Sequence, residues 1–377
     1  MPKILLIPEF DKFGGTRTFI INLLKVYTMQ SYEVVMLLPK SQLDDEIKAI
    51  LHNSQIRYSL IGKRKNYLNK LCFRFPASVL YDLFVALPYI LKERPDLVVA
   101  SIGTPGIFLG LFMLPIKFLY ILHTYPSKPK LILGKSLFFG LLLNKSKIIL
   151  LNSDYSRRTV LRHWLNRRNS KFVQHIYNTV KESLSSEIKQ KTPDDKISRI
   201  ITLGHVTWYK NPQTWLDAAQ IVIEKLNHIH IEFIWAGDGD LLHQYIELAK
   251  SINPSKIKFI GHKKNVDELY KTGTVYFQPS RMESQGLAVM EAMSWSLPCV
   301  VSKTGGLPES IKDGETGYVT DVDDAEMMAD KIIYLIINQD IAAKMGHAAR
   351  TYYEKMYSYP VWEEHMKQIH EQLMETI

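Results

Sequence analysis

Short apolar runs recur along this chain, each followed by a stretch with helical spacing, and the alternation runs twice. In the first half, KILLI at residues 3–7 leads through Gly14-Gly15 into a helical pattern from about Thr18, and FLYIL at 118–122 reads as a later strand. In the second half the runs are IITLG (200–204), IEFIWAG (231–237), IKFIG (257–261) and VYFQP (275–279), with helical patterns from Pro212 and through Leu248. Strands alternating with helices argue for parallel sheets covered by helices, an α/β class. Residues 183–198 are polar and poor in large apolar side chains and read as a linker. With 377 residues there is room for two cores. The expected organisation is therefore a domain at 1–182, the linker, a domain at 199–359, and a last helix at 360–377. Trp362, Met366, Ile369 and Leu373 share one face of that helix.

Residues 279–309, PSRMESQGLAVMEAMSWSLPCVVSKTGGLPE, concentrate the chemistry. Glu283 and Glu291 lie eight positions apart, and Gly286 opens the helical stretch LAVMEAM. A buried strand follows at 298–301, then a loop at Gly305-Gly306. A helix start preceded by glycine offers free N–H groups and the positive end of the helix dipole, which suits a diphosphate. Glutamates beside an anion repel it unless they accept hydrogen bonds from hydroxyls flanking the phosphates. Five or six helical residues at about 1.5 Å each separate the carboxylates by roughly 8 Å, enough to span a diphosphate between a sugar and a ribose. On these residues alone, a surface helix with two solvated glutamates, the usual fate of glutamate, is the more ordinary reading.

The register of Glu283, Gly286, Glu291, Pro298, Gly305, Gly306, Pro308 and Glu309 resembles the donor site of retaining glycosyltransferases of the family 4 type (glycosyl transferases group 1). The sequence departs from that pattern at Gln285, where an aromatic is common, and at Ser296, where glycine is common. The resemblance implies a GT-B fold: two Rossmann-like domains facing a cleft, with the last helix crossing back to the N-terminal domain. It implies transfer of a hexose from a nucleotide diphosphate sugar, a UDP-sugar by preference, with retention and without a metal or other cofactor. Glu283 would orient the sugar hydroxyls and Glu291 the ribose, with Gly286 and Leu287 at the diphosphate.

Further positions follow from the same resemblance. Gly15 belongs to the glycine loop near donor phosphates, and His123, at the end of an apolar run, would face the transferred sugar. Gly237 and Asp238 sit in a Gly-Asp-Gly turn, and Gly261 and His262 would touch the base. In GHVTWYKN (204–211) Lys210 stands where the family has lysine, but His205 replaces an arginine. Arginine is always charged and forks onto phosphate, whereas histidine ordinarily titrates near ~6.5. Catalysis is thus expected from His123, Glu283 and Lys210, and diphosphate binding from Lys210 and His205. Two other classes stay open: a non-catalytic relative supporting a partner enzyme, which His205 permits, and a GT-B nucleotide-sugar epimerase, which the two-glutamate pattern disfavours. The pairs Asp238/Asp240 and Asp321/Asp323 resemble metal ligands, but each precedes a helix, where aspartates cap. No metal site is expected.

Charge bears on the acceptor. Residues 1–190 hold 28 Lys+Arg against 12 Asp+Glu, a net +16, while the remainder is −7. The stretches 63–75 and 157–171 mix basic residues with aromatics and leucines, which suits an anionic membrane surface; a solvated basic face is the competing reading. No helix-turn-helix, zinc-ligand or RNA-stacking motif accompanies the charge, so nucleic acid is not expected. The apolar stretch 106–122 is broken by Pro115 and Lys117 and does not reach the ~20 residues of a membrane span. Cys72 and Cys299 sit in apolar runs and read as reduced thiols. The expectation is a cytoplasmic protein, peripheral at the inner face of the cell membrane, acting on a lipid-linked or polysaccharide acceptor.

Overall fold

The computed structural model describes residues 1–9, 14–62, 74–103, 108–125, 142–164, 167–180 and 197–375, with the backbone alone for 74–82 and 167–169. Residues 183–196 of the linker expected at 183–198, residues 63–73 of the basic stretch 63–75, and with them Cys72, lie outside the described residues. The chain divides into two units, Met1–Tyr177 with Trp362–Ile377, and Asn178–Val361.

The first unit is built on a seven-stranded sheet of β1 (Lys3–Pro8), β2 (Glu33–Pro39), β3 (Arg57–Ile61), β4 (Leu97–Ile102), β5 (Phe118–Leu122), β6 (Lys147–Leu151) and β7 (Val173–His175). Their order is β3-β2-β1-β4-β5-β6-β7, and all pairings are parallel. Helices on both faces explain why β4, β5 and β6 are buried throughout and apolar apart from Ser101 and Lys147. Each fully buried Val, Leu or Ile side chain contributes about 2 kcal/mol of transfer free energy. The covering helices are α1 (Gly15–Met29), α2 (Asp45–Asn53), α3 (Arg74–Glu93) and α4 (Asp154–Trp164). Asp44 caps α2 by accepting the Ile47 N–H at 3.0 Å. In the stretch 157–171, Arg157 and Arg158 both pair with Asp154.

The second unit carries a six-stranded sheet of β8 (Ser198–Leu203), β9 (Ile231–Ala236), β10 (Ile257–Phe259), β11 (Val275–Gln278), β12 (Cys299–Ser302) and β13 (Gly317–Thr320). Its order is β10-β9-β8-β11-β12-β13, again all parallel. Around it stand α5 (Pro212–Lys225), α6 (Leu242–Ile252), α7 (Asp267–Thr272), α8 (Leu287–Ser294), α9 (Leu307–Ser310), α10 (Ala325–Ile337) and α11 (Gln339–Met356). Trp215, Trp235 and Phe259 form an aromatic cluster in this core, and the Trp215 indole N–H donates to Thr202 Oγ1 at 2.7 Å.

The last helix, α12 (Tyr359–Met374), buries Trp362, Met366, Ile369 and Leu373. Within the first unit Trp362 meets Phe19 edge-on, and Tyr27 is hydrogen-bonded to His370 at 2.8 Å. In each sheet the strand order reverses beside the first strand, at β1/β4 and at β8/β11. Such a reversal opens a crevice at the carboxyl ends of the strands, the usual place for a ligand.

Candidate functional site

In the second unit, the loops leaving β8, β11 and β12 come together at that crevice. The β8 loop turns through Gly204 and runs to Lys210, whose short 3-10 turn (Trp208–Lys210) ends at Asn211. Asn211 is fully buried and adopts φ 61°, and its side-chain oxygen caps α5. The β11 loop joins it through backbone bonds: the Arg281 and Met282 N–H groups both donate to the Tyr209 carbonyl, at 2.8 and 3.2 Å. This juxtaposition brings the Lys210 ammonium onto Glu283 Oε2, across 73 residues of sequence. Gln278 Nε2 donates to the same oxygen at 2.9 Å.

The glycine loop after β12 closes over Glu283 from behind. The Gly306 N–H donates to the Glu283 carbonyl at 3.1 Å, and a Cβ on Gly305 would lie 1.7 Å from that oxygen. Only glycine permits this approach, and its φ of 53° also favours glycine. Gly286, at φ 93°, then opens α8 without any side-chain cap, so the helix start keeps its backbone N–H groups for another partner. Leu287 is the first residue of that helix.

Glu291 lies one turn further along α8. The Tyr270 hydroxyl, itself buried, donates to its Oε2 at 2.6 Å. Burial pushes the Glu291 carboxyl above the ordinary range, and the tyrosine bond opposes this by favouring the charged form. On the other flank of β8, the Gly237 N–H bonds to the Gly261 carbonyl at 2.9 Å, and Asp238 Oδ1 accepts the His262 N–H at 2.9 Å. Asp238 therefore ties two loops together. His205 and His262 are exposed on these loops.

The two departures from the family pattern have physical counterparts. Gln285 is buried, accepting the Asn178 N–H at 3.0 Å and reaching the Met290 sulfur at 3.2 Å. Ser296 sits at φ 58°, a left-handed conformation that explains why glycine suits the position.

In the first unit, His123 directly follows β5, which pairs with β4 on one side of the β1/β4 reversal. Its Nε2 is 2.8 Å from Ser101 Oγ, its carbonyl accepts from Asn152 at 3.0 Å, and Phe19 packs on the ring edge. Burial lowers its pKa to about 3, so the imidazole is neutral. Gly15, the first residue of α1, lies after β1, on the other side of that reversal. The second unit thus assembles Lys210, Glu283 and the Gly286 helix start, while His123 and Gly15 belong to the other sheet.

Three residues of the site, Tyr270, Arg281 and Gln278, were not singled out from the sequence, and Asp323 was expected only as a helix cap. Asp323, at φ 67°, gathers Asn211 Nδ2 (2.8 Å) and Arg281 Nε (3.0 Å) on one oxygen and so joins the two loops. The cap of α10 is its neighbour Asp324, which accepts the Met327 N–H at 2.9 Å; an aspartate just before a helix reads as a cap in either position. Tyr270, Arg281 and Gln278 complete the set. Gln278 did leave a signal, as the polar member of an otherwise apolar strand run. Among the described residues, no group of three or more His, Cys, Asp or Glu side chains could hold a metal ion.

Comparison with known proteins bears on the same region. Residues 185–352 match the family described as glycosyl transferases group 1. N-acetyl-alpha-D-glucosaminyl L-malate synthase of Bacillus anthracis is 27% identical over 187 residues, 48% of this chain and 49% of that protein. In it and the next four curated relatives the chain spans half or less of the relative's length. A glycosyltransferase from Rickettsia africae superposes with a TM-score of 0.80 at 18% identity, covering 100% of this chain and 99% of that one. Anabaena HepE in complex with UDP-glucose gives 0.73 at 17% identity, covering 98% and 99%.

Proposed function

We propose that this chain, which belongs to the glycosyl transferases group 1 through residues 185–352 and has the GT-B fold of two Rossmann-like domains, is a retaining hexosyltransferase that uses a nucleotide diphosphate sugar. The observation that carries the reading is the meeting of Lys210 with Glu283 beside the uncapped start of α8. A cation and free N–H groups suit a diphosphate, and a carboxylate next to them suits sugar hydroxyls. A UDP-sugar is the favoured donor, in line with the UDP-glucose bound by HepE.

The bond between the anomeric carbon and the donor phosphate oxygen breaks as the acceptor oxygen bonds to that carbon on the same face. The acceptor's proton passes to the departing phosphate. Lys210, His205 and the Gly286–Leu287 backbone stabilise the charge on that phosphate, as donors do in an oxyanion hole. Glu283 orients the sugar and Glu291 the ribose. His123, neutral, offers the sugar a hydrogen bond rather than a charge. No metal enters this scheme.

The acceptor we favour is a lipid-linked or polysaccharide intermediate at the cytoplasmic face of an anionic membrane, on the strength of the +16 first half. No helix among the described residues is long and apolar enough to cross a membrane. Neutralising Lys63, Arg64 and Lys65 should abolish sedimentation with anionic vesicles; undiminished sedimentation would remove the membrane from the proposal. Calorimetric titration with UDP-, GDP-, ADP- and TDP-sugars tests the donor, and loss of turnover in Glu283→Ala tests catalysis. His205 in place of arginine favours a second reading, a non-catalytic partner of another transferase, which would keep its partner function in Glu283→Ala.

A further inference from the structure

Strand β11 places Tyr276 and Gln278 two residues apart, hence on one face. Both are buried, Tyr276 at 0% exposure and Gln278 at 1%. The Tyr276 hydroxyl lies 2.9 Å from Gln278 Oε1, and the amide nitrogen faces Glu283 Oε2 at 2.9 Å and Ser280 Oγ at 3.2 Å. The opposite orientation would set an amide oxygen against a carboxylate, so electrostatics selects this one. Glu283 Oε2 thus has two donors of different character. Lys210 is a flexible point charge that a diphosphate would draw toward itself. Gln278 is held in the sheet and cannot follow.

We propose that Gln278 is a positioning residue that keeps Glu283 aimed at the transferred sugar once the donor's diphosphate has engaged Lys210. The inference rests on the donor-site reading above. It separates the donor into two parts: Gln278 governs the hexose end through Glu283, and leaves the nucleoside diphosphate end to Lys210 and the helix start. It also gives the buried Tyr276 hydroxyl a role, as the partner of the amide oxygen that Glu283 turns away from itself.

Calorimetry of the full chain with UDP and with UDP-glucose tests this directly. Gln278→Leu should bind UDP within about twofold of wild type and UDP-glucose roughly tenfold more weakly, the loss of one hydrogen bond to a charged group. Equal losses for both ligands, or none for either, would overturn the proposal. Gln278→Glu keeps the size and the Tyr276 bond but sets a second carboxylate against Glu283. Two carboxylates sharing a site hold one proton more tightly. UDP-glucose binding by this variant should therefore recover as pH falls from 8 to 6, a dependence that a merely structural role would not create.

A donor-independent arm separates this inference from the reading beneath it. In denaturant unfolding of the ligand-free protein, Gln278→Leu should cost less in a Glu283→Ala background than in wild type. Additive costs would overturn the coupling whatever the ligand. A wild-type protein that binds neither probe would count against the donor reading, and this cycle would still decide whether Gln278 holds Glu283.

Discussion

Gly305 stands so close behind Glu283 that the added carbon of an alanine would overlap the glutamate's carbonyl oxygen, at 1.7 Å. The glycine loop is therefore a backstop for the carboxylate-bearing loop, and its lack of a side chain is a steric requirement of the site.

Gly305→Ala should destabilise the fold by about 2 kcal/mol or more, because both the contact and the left-handed backbone must give. Glu283 would shift with it. Denaturant unfolding should show the lost stability and sugar-transfer assays a lost turnover; a variant with wild-type turnover would mean that the loop does not hold Glu283.

His205→Arg replaces an exposed side chain on the loop of Lys210 with a permanently charged fork. UDP affinity should rise by about tenfold, the scale of one charge-assisted hydrogen bond, with little change in melting temperature. Unchanged affinity in calorimetric titration would place His205 away from the diphosphate.

Ser296→Gly should stabilise the protein. The left-handed backbone at Ser296 costs a side-chain-bearing residue ~1–2 kcal/mol, partly offset by the extra freedom glycine has when unfolded. A net gain of about 0.5–1 kcal/mol in denaturant unfolding is expected, with turnover unaffected.

Acid should weaken the first unit through His370. Its ring is buried, with Nε2 bonded to the Tyr27 hydroxyl and Nδ1 to the Met366 carbonyl, and burial lowers its pKa to about 4. Tyr32 also lies against the ring. The unfolded chain takes up this proton near pH ~6.5 and the folded chain does not, so stability is whole above that pH and falls as the pH drops toward 4. A shift from 6.5 to about 4 is worth up to ~3 kcal/mol. Unfolding measured from pH 7 to 4.5 should show the decline, and His370→Leu should flatten it while lowering stability at pH 7.

What the residues determine locally was legible along the chain. Apolar runs with alternating helical spacing demand a parallel α/β fold because backbone groups must pair and apolar faces must be covered, and both sheets follow. The helix after Gly286 follows from a glycine that can turn left-handed, ahead of strong helix formers. What brings groups together across the sheet was not legible. Lys210 leaves β8 and Glu283 leaves β11, strands adjacent in space but out of chain order, so no spacing records that they meet. Asp323 reads as one more aspartate before a helix until the fold sets Asn211 and Arg281 on its oxygen. Gln278 is a lone polar residue in an apolar run until the fold sets its amide between Tyr276 and Glu283. Hydrogen bonds have direction and reach only about 3 Å. Whether such a bond forms is decided by strand order and loop approach, and these exist only once the sheets have assembled.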